Sequence, residues 1–228
     1  MTLPSTIALG FFFLGLSVSP HETAKVVPAT LIPLGIMSVS MVIYIYIAEF
    51  FSKLKILKIL QIFFTFVLSS LIWFILAAPF AVFKFSNLPV SIIGYLTLML
   101  FSHFLLSRKI HSVPVLKIQY TNIQKFYRSV FIGLLIALIV FLAKTLGAFW
   151  GGIFVMFPAA TFAALIFFHQ NHSPQKIFQI MKRAPLGMTT LFVYSLMVFF
   201  TFPSLGVISG SITSYVVSLV YAFCLSKF

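Results

Sequence analysis

Apolar residues in this chain come in long runs separated by short clusters of basic, proline and small polar residues. Crossing about 30 Å of hydrocarbon takes about 20 helical residues, so each run of that size predicts one membrane helix. Cutting wherever charges or polar clusters interrupt leaves eight runs: Leu3–Ser19, Val26–Ala48, Ile59–Val82, Leu88–Leu106, Ser129–Leu146, Phe149–Phe168, Leu186–Phe202 and Leu205–Leu225. The last cut rests on Phe202-Pro203-Ser204 with Gly206 just beyond. Without it, residues 186–225 would form one helix of about 60 Å, twice the bilayer, so a hairpin is expected there.

The basic residues test this count independently. If the N-terminus and the loops after the second, fourth and sixth helices share one side, that side collects Lys53, Lys55, Lys58, Arg108, Lys109, Lys117, Lys125, Arg128, Lys176, Lys182, Arg183 and Lys227. The other side receives only Lys25 and Lys84, with Lys144 left inside a helix. An excess of Lys and Arg marks the cytoplasmic side, so both termini are expected there and the chain in the cell (inner) membrane. The basic stretch from Ser107 to Arg128 is expected to be an interfacial linker on anionic headgroups.

Landmarks recur on either side of that linker. Pro33 and Pro158 stand early in the second helix of each half, and Pro79 and Pro203 close the third, at separations of 46 and 45 residues. Such agreement predicts an all-α integral membrane protein of about eight transmembrane helices, built as two four-helix repeats, residues 1–106 and 129–228, joined by the linker over 107–128. An even number of helices per unit makes the repeats parallel, related by an axis along the membrane normal.

Composition agrees with lipid as the solvent: 61% of residues are apolar, 18% aromatic and only 7% charged. A soluble domain carries about a quarter charged residues. The net charge of +13 resides in short loops, which argues for a topology signal and anionic phospholipids as partners, with no nucleic acid. A single cysteine, Cys224, gives neither a disulfide framework nor a thiol cluster. The two acids, Glu22 and Glu49, offer little for general acid and base work, and no phosphate loop, zinc-protease pair or nucleophile elbow occurs. No enzyme and no cofactor is therefore expected.

Lys144, flanked by Phe141, Leu142 and Ala143, is the sharpest single feature. A lysine in a span is either a snorkelling cation near the helix end or a buried one that binds an anionic group or pairs with Glu22. His21, Glu22 and Lys25 open the second helix at the same end; they form either a helix cap with a solvated lysine or an inward charge cluster. Gly151 and Gly152 allow close packing, and Pro158 and Pro33 break or kink their helices, which either serves packing alone or opens backbone polar groups to a ligand. His169 and His172, without carboxylate or thiol nearby, fall short of a metal site, and His103 reads as an interfacial histidine.

Phe141-Leu142-Ala143-Lys144-Thr145, then Gly151-Gly152, then Met156-Phe157-Pro158-Ala159, resemble the small GlpM-like membrane proteins over about residues 130–228. Those are four-helix proteins with a Leu-Ala-Lys-Thr segment, a glycine and a Phe-Pro in this order, loosely associated with exopolysaccharide production. The first half has Ser19-Pro20-His21 where Ala-Lys-Thr would stand and shares the proline of the second helix. Two functions are expected in competition: a transporter or lipid flippase for a small anionic or lipid-linked substrate, and a non-transporting scaffold or accessory subunit of envelope polysaccharide production. A homodimer is compatible with either.

Overall fold

The computed structural model describes residues 5–54, 56–108 and 121–227. Among them the chain is wholly helical, in the order α1 (Ser5–Ser17), α2 (Pro20–Ser52), α3 (Lys58–Val82), α4 (Leu88–Ser107), α5 (Asn122–Thr145), α6 (Ala148–Val155), α7 (Ala159–Asn171), α8 (Pro174–Met181), α9 (Ala184–Gly187) and α10 (Thr189–Leu225). Most of the expected linker lies outside the described residues, and α5 begins at Asn122, before the expected boundary at 129.

Local chemistry sets the helix starts. Ser19 caps α2 by accepting from Glu22 N at 3.1 Å, with Pro20 in the first turn, where its missing N–H costs nothing. Asn87 does the same for α4 through Val90 N at 3.1 Å, with Pro89 behind it. Pro28 and Pro33 lie inside α2 without ending it. Pro158, by contrast, falls in the Met156-Phe157-Pro158 break between α6 and α7. Two tight turns need left-handed backbone at glycine: Gly147 (φ 96), between α5 and α6, and Gly206 (φ 73), which interrupts α10. Across Gly206 the arms of α10 fold back on each other, bonded by Thr201 Oγ1 to Ser214 Oγ at 3.0 Å and by Tyr221 OH donating to Thr189 Oγ1 at 3.0 Å.

α2 is the axis of the bundle. Its most apolar window is 72% buried, against 22% in α3 and 28% in α4, and α3, α4, α6 and α10 all pack on it. The outer helices expose Phe63, Ile75, Phe101, Leu134, Phe200 and Ile212, an apolar surface that only lipid can solvate. Among the described residues, five helices are long and apolar enough to cross a membrane: Pro20–Ser52, Lys58–Val82, Leu88–Ser107, Ala148–Asn171 and Pro174–Leu225. Eight had been expected. The shorter apolar stretches Thr6–Ser17 and Ile132–Thr145 do not reach that length, and the last two expected runs are joined into one by the tight turn at Gly206.

Candidate functional site

Six residues of α3, Ile62, Thr65, Ser69, Trp73, Ala77 and Ala81, are its buried ones, spaced by three or four so that they form one stripe along the helix. The stripe lies against α6 and α7, which run antiparallel to α3. Phe66 meets Phe162, Trp73 meets Phe157 edge-on at 5.2 Å, and Phe74 meets Phe154 and Trp150. The α6–α7 break thus sits beside Trp73, in the middle of α3.

This stripe differs from the other buried polar groups of the bundle in that its own are without partners. Thr65 Oγ1, Ser69 Oγ, Trp73 Nε1 and the adjoining Ser70 Oγ are buried and have no hydrogen-bond partner among the described residues. Hydroxyls elsewhere fold back on their own helix, as Thr30 does onto Val27 O at 2.7 Å and Ser195 onto Leu191 O at 2.9 Å. Other partnerless buried groups, such as Tyr95 and His103, are scattered over α4, α8 and α10, whereas α3 carries four within nine residues. Each costs about 1–3 kcal/mol if nothing ever bonds to it, too much for four in a row to be incidental.

A cavity opens at each end of the stripe. Where α3 begins, a space of 370 Å³ is lined by Lys58 and Gln61, by His169 and His172 from the end of α7, and by Ser173 and Lys176 at the start of α8. His169 is only 2% exposed and shares a long hydrogen bond of 3.4 Å with Tyr44 OH of α2. Where α3 ends, a space of 450 Å³ is lined by Glu22, Ala81, Lys84, Gly147, Phe149 and Trp150. Lys84 holds left-handed backbone there, at φ 47, a conformation that costs a side-chain-bearing residue about 1 kcal/mol.

The expected site residues fall into three places. Glu22 borders the second cavity but pairs with Lys25 of its own helix at 2.7 Å, with side chains 50% and 56% exposed, and His21 beside them is exposed as well. An inward charge cluster is therefore not formed. Gly151, Gly152, Pro158 and Pro33 are buried in packing: a Cβ on Gly152 would strike Val26 of α2, and one on Gly151 would lie 2.7 Å from the Ala143 Cβ. Lys144 is exposed on the last turn of α5, which fits the snorkelling alternative, since the long stem of a lysine near a helix end reaches headgroup depth without a partner. Lys144→Gln is accordingly expected to leave both protein level and any transport rate unchanged, measured in reconstituted vesicles.

Sequence reasoning missed Thr65, Ser69, Ser70, Trp73 and Tyr44. The signal was present: Thr65, Ser69, Trp73, Ala77 and Ala81 recur every fourth residue between Phe, Leu and Ile. Compared with protein-family models, curated proteins and solved structures, the chain has no significant match. Its likeness to the GlpM-like proteins rests on the quoted residues alone.

Proposed function

We propose that this chain is a membrane transporter whose substrate path follows the buried stripe of α3, and that the substrate is a small solute or lipid carrying an anionic group. The observation that carries this reading is the row of four partnerless polar atoms from Thr65 to Trp73, lying between the two cavities. Groups that give up hydrogen bonds at rest are available to a passing polar ligand, and the break at Met156-Phe157-Pro158 sets an interrupted helix at mid-membrane beside them, as in many transporters. Over the 25 residues of α3 the path spans about 37 Å, enough for the hydrocarbon core and part of both headgroup layers.

Within this proposal the chain crosses the inner membrane eight times. α6 and α7 make one crossing and the arms of α10 on either side of Gly206 make two, with α1 to α5 supplying the rest. Corresponding helices of the two halves are α1 and α5, α2 and the α6–α7 pair, α3 and the first arm of α10, α4 and the second arm. Packing of α3 on α6 and α7, and of α10 on α2, fits an exchange of helices between two related units. The basic cavity then faces the cytoplasm, in contact with anionic phospholipids. A reporter fused after Lys227 is expected to be active only in its cytoplasmic form; activity on the other side would make the number of crossings odd or the orientation inverted.

Transport itself is tested with purified protein in vesicles, following efflux of entrapped glycerol phosphate and, separately, exchange of a labelled phosphatidylglycerol between leaflets. Flux of one of the two above protein-free vesicles is expected, and flux of neither would overturn the reading. The non-transporting scaffold draws support from the exposure of Lys144 and of the Glu22–Lys25 pair. It leaves the partnerless stripe on α3 without a role.

A further inference from the structure

The basic cavity at the start of α3 has a composition that the transport reading does not by itself require. Lys58 stands in the first turn of α3 and Lys176 in the first turn of α8, and both line the same 370 Å³, with His172 and the almost fully buried His169 beside them and no carboxylate in the lining. Both lysines are exposed at the rim, so the cavity offers two solvated positive charges to an anion that enters it. Its size lies at the lower end of the range for small-ligand pockets.

Its other polar groups favour one kind of anion. Ser173, at the cap position of α8, makes no capping bond to the first turn, so its hydroxyl stands in the cavity together with the positive end of that helix. Asn171 and Gln61 are already engaged, the first with Phe167 O at 2.8 Å and the second with Ile56 O at 3.0 Å, and His169 shares its bond with Tyr44, which leaves the lysines, His172 and Ser173 as the recognition groups. These come from three separate elements, α3, the end of α7 and the start of α8. A planar carboxylate with one charge would satisfy one side of such an arrangement. A tetrahedral dianion meets all three, and lysines serve as point-charge ligands to it.

We infer that this cavity is a binding site for a phosphate group, carried by a small phosphate ester or by the headgroup of a phospholipid. The inference rests on the transport reading only in making that phosphate the anionic group of the substrate. Binding is measured on the purified full chain, with glycerol phosphate in detergent for the free ester and with nanodiscs containing phosphatidic acid, against phosphatidylcholine alone, for the headgroup. Lys58→Gln with Lys176→Gln is expected to weaken binding of whichever form binds by about tenfold or more. Lys182→Gln, which removes one charge outside the cavity, is expected to leave it unchanged.

Binding of the ester alone assigns a soluble substrate, and binding of the phosphatidic acid nanodiscs alone assigns a lipid; each supports the site. Equal binding by the double variant and the parent, an equal loss with Lys182→Gln, or binding of neither probe overturns it. Flux measured in parallel separates the two readings. Flux without phosphate binding would remove the site and leave the path, and binding without flux would remove the path and leave the site.

Discussion

Thr65→Val combined with Ser69→Ala is expected to make the protein more stable and less active at once. Both hydroxyls are fully buried and without a partner, so the resting protein carries their desolvation cost with no return. Replacing each by an apolar group of similar shape should raise stability by about 1 kcal/mol or more per site, read as an increase in melting temperature in detergent. If a polar substrate slides along this stripe, the same change removes two of its hydrogen-bonding stations, and flux in vesicles should fall by about tenfold, the equivalent of roughly 1.4 kcal/mol. A merely structural stripe would show the stability gain with undiminished flux. A loss of stability would mean that the hydroxyls are bonded after all, and the path would lose its main support.

Gly152→Leu is expected to be the most damaging single substitution in the bundle, with little folded protein recovered. Even the Cβ of an alanine at Gly152 would collide with Val26 and come within 3.3 Å of Thr30. Val26 is fully buried in α2, and a β-branched side chain there has no alternative rotamer to retreat into. Gly152→Ala should therefore cost about 1–3 kcal/mol by overpacking, and the larger side chain should separate α6 from α2. Gly133→Ala is the control. Nothing lies within 4 Å of its added Cβ, so a gain of up to about 1 kcal/mol from helix propensity is expected instead. Fluorescence-detected gel filtration and thermal melting of the three variants would check both, and a well-folded Gly152→Leu protein would show that the α2–α6 contact is looser than described.

Membrane character was legible because it is a matter of run length and charge, which composition states directly. The turn at Phe202-Pro203-Ser204-Leu205-Gly206 was legible too, since a 60 Å helix had no place in a bilayer, and the backbone does turn, at Gly206. Span count was harder. Gly206 turns the chain so tightly that the helical arms are continuous on either side, and Pro158 interrupts a helix that hydropathy sees as whole. Lys144 left two readings open for a physical reason: a charge in an apolar run stands out in sequence, yet in the last turn of a helix it can extend outward, and there it is exposed. Thr65, Ser69 and Trp73 escaped for the opposite reason. Serine and threonine normally satisfy themselves on their own helix, so sequence alone gives no sign that these hydroxyls are left unbonded.

α2 has 33 residues and so measures about 50 Å, about 20 Å more than the hydrocarbon it crosses. Its last turns, with Ser52, form part of the wall of the basic cavity, and Lys58 follows at the start of α3. The vertical position of that cavity therefore follows how deeply α2 is immersed. Longer acyl chains would draw the two lysines toward hydrocarbon and raise the cost of keeping them charged, while shorter ones would lift them into salt-screened water. Under the transport reading, flux would then vary with acyl-chain length through the depth of these two lysines.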